Sequence, residues 1–229
     1  MNDKEDAFRI QKVLGPDGVE RFIVYISGTG SASDGLMSAE ENVAASFGMS
    51  TRTRENLERL IADHIGDQTD AEIMLVGHSQ GGMYAEAIAA SGRFNVKEVI
   101  AVGSPGVPVV NGYGGANVTR LQHNADWVVN GVEWGRGAVL GPGNHGLLNI
   151  GAAGGLDSSG SVETFRAGNP AEGFLNENSD PWNSQSHMLR EGDYNWIAEQ
   201  YEASIDPSIV AARERQSAFL GGTVVADAK

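Results

Sequence analysis

A serine between two glycines is the part of the sequence whose residue types and spacing most clearly favour chemistry. Gly77, Ser79 and Gly81 form the pattern Gly-x-Ser-x-Gly, with an apolar run before it and a helix-favouring run after it. The pattern by itself is weak, because a glycine-rich chain matches it readily by chance. Between a strand and a helix, however, such a serine occupies a sharp turn at a helix N-terminus, where developing negative charge is favoured. The context predicts a nucleophile at Ser79, and an ordinary small-residue turn is the alternative.

A serine hydroxyl is a poor nucleophile without a base, and the chain contains five histidines. Where a nucleophile occupies this kind of turn, the order along the chain is serine, acid, histidine. His64 and His78 precede Ser79 and do not fit that order. His187 fits it best, because it follows a loop and opens a predicted helix near the end of the fold. His145 is the alternative, either as the base or as a loop histidine that binds backbone groups.

The acid of such a site is expected just after a later strand. Asp126 follows the predicted strand at 118–121 and meets this condition, whereas His123 precedes it and falls outside the expected order. Buried beside a histidine, the carboxylate would fix the imidazole tautomer and stabilise the imidazolium. Glu133 and Asp157 are weaker alternatives for the acid. A solvated turn aspartate is the non-catalytic alternative for Asp126.

Stabilising an oxyanion requires two N–H donors. In this setting one belongs to the residue after the nucleophile, Gln80, and the other to a loop after an earlier strand, around Gly28 and Thr29. Gly28-Thr29-Gly30 also suggests a nucleotide site, but it lacks the third glycine of the dinucleotide fingerprint and the Gly-Lys-Ser/Thr of a P-loop. We therefore expect an oxyanion hole here, with an ordinary Gly-Ser linker as the alternative.

The elements that must position these residues follow from hydrophobic patterning and turn residues. Two strand-like runs around a Pro-Asp-Gly turn at 16–18 predict an N-terminal β-hairpin. Further strands are predicted at 72–76, 96–102, 118–121 and 147–150. Helices are predicted after Ser38, after Thr51 or Thr53, at 83–90, at 187–202 and at 205–222. Alternating strands and helices indicate an α/β fold, with a mostly parallel central sheet flanked by helices.

The length of 229 residues suits a single domain over residues 1–229. Within it, residues 127–186 form a glycine-rich insert much longer than a simple connection. Its bulky apolar residues are expected to form a cap or rim over the site, and the alternative is a loop that packs them into the main core. They are Trp127, Trp134, Phe165, Phe174 and Trp182.

Composition limits the partners and the compartment. The net charge of −14 argues against nucleic acid, because a phosphate backbone would be repelled. The absence of cysteine excludes disulfides, thiolate zinc sites and a cysteine nucleophile. The acidic first residues do not resemble a signal peptide, and no apolar run approaches the length of a transmembrane segment. We therefore expect a cytoplasmic protein or one exported without a cleaved signal.

These segments together resemble the α/β-hydrolase superfamily. Residues 77–82 resemble its nucleophile elbow, and His187 to Tyr194 resembles its histidine-bearing end. Further segments resemble lipases of the class 3 type and related actinobacterial α/β-hydrolase domains; they are Ser27-Gly28-Thr29, Val102-Gly103-Ser104-Pro105 and the run at 121–128. The resemblance covers residues 8 to 200.

The resemblance implies a catalytic triad and an activity. It makes Ser79 the nucleophile, Asp126 the acid and His187 the base, with the oxyanion hole formed by Gln80, Gly28 and Thr29. The implied reaction is hydrolysis of a small-molecule or lipid carboxylic ester through an acyl-serine intermediate, with no metal or organic cofactor. An acyltransferase or thioesterase on the same triad, or a catalytically silent binding domain, is the alternative, since fold does not fix function.

Overall fold

The computed structural model of the chain describes residues 7–29, 44–109, 111–123, 126, 128–129, 162–167 and 193–228. The strands in these ranges are β1 (Phe8–Leu14), β2 (Glu20–Ile26), β3 (Ile73–His78), β4 (Val96–Val102), β5 (Asn117–His123), β6 (Val162–Ala167) and β7 (Thr223–Ala228). The helices longer than one turn in the same ranges are α1 (Arg52–Ile65), α2 (Gln80–Ala90), α3 (Asp193–Ala203) and α4 (Pro207–Leu220).

The described strands form one seven-stranded sheet in the order β6-β5-β4-β3-β2-β1-β7. All neighbours from β2 to β6 are parallel, whereas β1 is antiparallel to both β2 and β7. The predictions of an N-terminal hairpin and of a mostly parallel sheet flanked by helices are therefore confirmed. Parallel strands end at the same edge of a sheet, so the residues that follow β2, β3, β4 and β5 come together there.

Helices cover both faces of the sheet, which explains why its central strands are apolar on both sides. On β2, Val24 faces the layer formed by α1 and α2, and Ile23 faces α4. On β3, Leu75 likewise faces the layer formed by α1 and α2, and Met74 faces α4. Helix α3 covers β5 and β6 on the α4 side of the sheet. The sheet thus forms the middle of three layers.

Side-chain caps fix the ends of two helices where the sequence predicts them. Thr51 accepts the backbone N–H of Arg54 at 3.2 Å and begins α1, and Gly66 ends it with φ 54°. Asp206 accepts the N–H of Ser208 at 2.9 Å and begins α4. The buried spine of α1 is Leu57, Ile61 and Ile65. The apolar spacing of the sequence also predicts Leu60 on that face, but it is exposed, because the i+3 position lies at the margin of an i, i+4, i+8 stripe.

Two strands were not predicted from the sequence. β7 extends the sheet beyond β1, and both Val224 and Val225 are about half exposed, so it has no one-sided apolar pattern. β6 lies inside the glycine-rich insert and pairs with β5, and its Phe165 packs edge-on against Tyr201 with ring centroids 5.7 Å apart. At least this aromatic of the insert belongs to the core.

Several sequence predictions fall outside the described residues. They are the first part of the helix after Ser38, which is helical at 44–46 where it is described, the strand at 147–150, most of the proposed cap at 127–186, and the first part of the helix predicted at 187–202. In the described part of the chain, no helix combines the length and the apolar character needed to cross a bilayer.

Candidate functional site

Ser79 lies at the junction of β3 and α2, in a backbone conformation that L-amino acids rarely adopt. Its φ is 53° and its ψ is −121°, and it is the one non-glycine residue with positive φ in the described part of the chain. Its N–H donates to the carbonyl of Val102 at 2.9 Å, which ties the turn to the end of β4. Backbone strain of this kind persists only where the surrounding structure enforces it. The structure thus places Ser79 on a strained strand–turn–helix junction at a helix N-terminus.

The glycines around Ser79 are required by close backbone packing. A Cβ on Gly77 would overlap the backbone of Gly81 and Gly82, and a Cβ on Gly81 would overlap the carbonyls of Ile26 and Ser27 at the end of β2. Strand, turn and helix therefore approach one another more closely than any side chain permits. The glycine spacing noted in the sequence has a steric cause here.

Gly81→Ala should destabilise the protein although alanine is the better helix former by about 1 kcal/mol. The added Cβ meets backbone carbonyls, which cannot swing away, so we expect a loss of about 3 kcal/mol or more in urea unfolding. Gly92→Ala is the control, because nothing lies within 4 Å of its Cβ and its φ of 63° should cost about 1–2 kcal/mol. Equal stability of Gly81→Ala and the wild type would contradict the packing argument.

The loop after β2 lies directly against the nucleophile turn. A Cβ on Gly28 would be 3.3 Å from the Cβ of Ser79 and 3.1 Å from Nδ1 of His78, so no side chain at this position separates the loop from the turn. Thr29 continues the same loop. Gln80 is fully buried as the first residue of α2, where backbone N–H groups lie before the first i→i−4 hydrogen bond. Of the three residues predicted for the oxyanion hole, Gly28 and Gln80 thus adjoin Ser79 from two sides, and Thr29 is the exposed residue that follows Gly28.

Asp126 is fully buried just beyond β5 and held by hydrogen bonds on both carboxylate oxygens. Oδ1 accepts the N–H groups of Val128 at 2.9 Å and Val129 at 3.2 Å, and Oδ2 accepts the hydroxyl of Tyr194 at 2.7 Å. Its own N–H donates to the carbonyl of His123 at 3.0 Å. These donors replace water around a buried carboxylate. The alternative of a solvated turn aspartate is therefore wrong.

Tyr194, on α3, bridges the acid and the end of β5. Its hydroxyl accepts the N–H of His123 at 3.1 Å and donates to Asp126. Burial, and after it the negative charge of Asp126, raises the pKa of Tyr194 above its ordinary value, so the hydroxyl keeps its proton. The sequence analysis gave this residue no role. The signal in the sequence that could have pointed to Tyr194 was its position seven residues after His187, the candidate base.

A buried ion pair joins α2, the helix that follows Ser79, to β5, the strand that precedes Asp126. Glu86 on α2 is fully buried and accepts two hydrogen bonds from the guanidinium of Arg120 on β5, each 2.8 Å long. The hydroxyl of Tyr113 and the N–H of Val107 also donate to Glu86, at 3.0 and 3.2 Å. Sequence reasoning missed this cluster. The signal in the sequence was that Glu86 is the one charged residue of an otherwise apolar helical segment, because a buried charge needs a buried partner.

The candidate bases are not among the described residues. His187 and His145 both lie outside them, as do the alternative acids Glu133 and Asp157. Of the other histidines, His78 lies edge-on to Tyr194 with ring centroids 6.4 Å apart, and His123 is buried at the end of β5. The assignment of His187 as base stays a prediction. Among the described residues, no cluster of three or more histidine, aspartate or glutamate side chains has a metal-site arrangement.

The described part of the site joins a strained serine, a glycine loop against it and a buried, multiply bonded aspartate at one edge of a parallel sheet. The family resemblance of the sequence stays a prediction. Comparisons with protein-family models, with curated proteins and with solved structures gave no significant match.

Proposed function

We propose that the protein is a serine hydrolase of the α/β-hydrolase superfamily that cleaves carboxylic esters. The observation that carries the proposal is the conformation of Ser79, whose positive φ and position between β3 and α2 are those of a nucleophile elbow. A strained turn of this kind serves to present the serine hydroxyl at the carboxyl edge of the sheet, and Ser79, which is 6% exposed, lies in that turn. The buried Asp126 at the same sheet edge supports the proposal, because a triad needs an acid there.

In the proposed reaction, His187 removes the hydroxyl proton of Ser79 as Oγ attacks the ester carbonyl carbon. Backbone N–H groups of Gln80 and of the loop at 28–29 stabilise the oxyanion of the tetrahedral intermediate. His187 then gives its proton to the leaving alcohol, and the acyl group remains on Ser79. Water attacks the acyl-enzyme with His187 again as base, which releases the carboxylic acid and restores the hydroxyl.

Chain connectivity supports His187 over His145 as the base. His187 precedes Tyr194 by seven residues, and the Tyr194 hydroxyl lies on the carboxylate of Asp126. Seven residues span at most about 25 Å, so a base at His187 is within reach of the acid from α3. His145 is more than fifteen residues from both Val129 and Val162, the described residues nearest to it along the chain. The proposal therefore keeps His187 as its base.

A fluorophosphonate probe tests the proposed nucleophile without knowledge of the substrate. We expect the folded protein to react once per chain and to lose activity towards nitrophenyl esters in parallel. Digestion with trypsin gives a peptide of residues 60–93 that contains both Ser79 and Ser91. Fragmentation should locate the phosphonate on Ser79, with Ser91 as the internal control.

The probe, together with assays on different acyl substrates, separates the alternative functions. A folded protein that neither reacts with the probe nor hydrolyses any ester of a chain-length series would support a silent binding domain. Diversion of the acyl group to an added alcohol would indicate an acyltransferase, and a strong preference for thioesters would indicate a thioesterase.

A further inference from the structure

We propose that Tyr194 is a positioning residue that holds the Asp126 carboxylate in its catalytic orientation through its hydroxyl. The inference rests on the proposed function, because it assigns Asp126 to the triad. Tyr194 need not contact the substrate. It acts through the acid, from a helix that lies 68 positions further along the chain.

The hydrogen bonds of Asp126 differ in what they can fix. Val128 and Val129 hold Oδ1 from the turn that carries the aspartate itself, whereas Tyr194 reaches Oδ2 from α3. Donors on both oxygens set the rotation of the carboxylate plane about the Cβ–Cγ bond. Each carboxylate oxygen can accept about two hydrogen bonds. The capacity of Oδ2 therefore allows it to accept both the Tyr194 hydroxyl and an imidazole N–H.

The hydroxyl is well suited to this task because it is part of a directed chain of hydrogen bonds. The N–H of His123 donates to Tyr194 at 3.1 Å, and Tyr194 donates to Asp126 at 2.7 Å, a length typical of a charge-assisted O–H···O⁻ bond. Each donor in such a chain polarises the next. Since burial and the charge of Asp126 favour the protonated phenol, Tyr194 remains a donor throughout the working pH range.

Packing fixes the ring of Tyr194 against the nucleophile side of the site. The side chain is 2% exposed. A Cβ on Gly103, at the end of β4, would lie 3.1 Å from Cε2 and Cζ of the ring. The ring also lies edge-on to His78, the residue before Ser79, with ring centroids 6.4 Å apart. The hydroxyl is thus positioned by the ends of β3, β4 and β5 together.

The charged and titratable groups around Tyr194 define what a pH experiment can report. In the described part of the chain they are Asp126, His78 on β3, His123 on β5 and Arg166 on β6, whose charge opposes that of Asp126. Without the Tyr194 donor, Oδ2 holds more negative charge. That charge favours the protonated form of the catalytic base. The acid limb of the rate profile should therefore move to higher pH.

Tyr194→Phe removes one oxygen and retains the ring. We expect kcat for a nitrophenyl ester to fall roughly tenfold or more, with KM within about twofold of the wild type. The acid limb of kcat/KM should move upward by about half a unit to one unit of pH. Tyr201→Phe is the matched control, because Tyr201 lies on the same helix and its buried hydroxyl donates to Gln216 at 3.1 Å, away from Asp126. The melting temperature of Tyr201→Phe should fall by about as much as that of Tyr194→Phe, but its pH profile should not change.

Each outcome has one meaning. If Tyr194→Phe and Tyr201→Phe have the same kcat and the same pH profile, the positioning role is overturned. If the wild type itself neither hydrolyses esters nor reacts with a fluorophosphonate, the proposed function fails instead. If Tyr194→Phe does not fold, Gly103→Ala decides, because its Cβ crowds the Tyr194 ring at 3.1 Å while the hydroxyl is retained, and alanine at a φ of 57° should cost about as much stability as at Gly92. An upward shift of the acid limb in Gly103→Ala supports the proposal, and an unchanged limb overturns it.

Discussion

Ser79→Ala should lower ester hydrolysis by about four to six orders of magnitude while the protein stays folded. The proposed reaction has no other nucleophile, and the residual rate would come from the oxyanion donors and substrate binding. Steady-state kinetics with nitrophenyl esters, together with circular dichroism, gives the measurement. Ser91→Ala is the matched control, since Ser91 follows the other end of α2 and its hydroxyl donates to the carbonyl of Ile88. It should keep wild-type turnover.

A companion variant separates the strain of the turn from its chemistry. Ser79→Gly is as inactive as Ser79→Ala in the proposed reaction, but glycine adopts φ 53° without steric conflict. The glycine variant should therefore be more stable than the alanine variant by about 1 kcal/mol or more in urea unfolding. An alanine variant that hydrolyses esters within tenfold of the wild type would remove Ser79 as nucleophile. Equal stability of the two variants would contradict the strain argument.

The parts of the fold that could be predicted are those in which local chemistry and burial agree. Thr51 begins α1 because a side-chain oxygen there satisfies an N-terminal N–H, and that need is visible in the sequence. The glycines beside Ser79 mark a close approach that no other residue permits. Asp126 was singled out by its place after a strand, although its burial and its bonds to Val128 and Val129 depend on the folded turn.

What could not be predicted depends on contacts between distant residues. Tyr194 meets Asp126 because α3 packs across the end of β5, and no local pattern encodes that contact. The partner of Glu86 is likewise on a strand 34 positions away. β7 was missed for a different reason: its side chains are mostly exposed, so its strand character comes from pairing with β1 rather than from a buried face.

The Glu86–Arg120 pair links the two halves of the site across the sheet face. Helix α2 begins at the nucleophile turn, and β5 ends three residues before Asp126. The ion pair joins these two elements on the face that carries α1 and α2, whereas Tyr194 joins the acid to α3 on the other face. The acid-bearing strand is thus tied to its neighbours on both sides. Removal of one of these buried charges should therefore lower the stability of the whole domain rather than weaken one local contact.

Arg120→Met should destabilise the protein by about 3–5 kcal/mol, because it leaves the Glu86 carboxylate buried without its counter-ion. Arg9→Met is the matched control, since Arg9 also lies on a strand and also pairs with a carboxylate, that of Asp227. About a third of each side chain in that pair is exposed, whereas in the buried pair the exposed fractions are 7% and 0%. Loss of the exposed pair should cost less than about 1 kcal/mol.

The double variant Glu86→Met with Arg120→Met shows whether the unpaired charge causes the loss. Two apolar side chains of similar length leave no buried charge, so the double variant should be more stable than Arg120→Met in urea unfolding. Its recovery should be incomplete, because the hydroxyl of Tyr113 and the N–H of Val107 lose their acceptor. A double variant less stable than Arg120→Met would indicate that shape and packing, rather than charge, dominate at this position. A loss in Arg120→Met no larger than that in Arg9→Met would contradict the role of the buried pair.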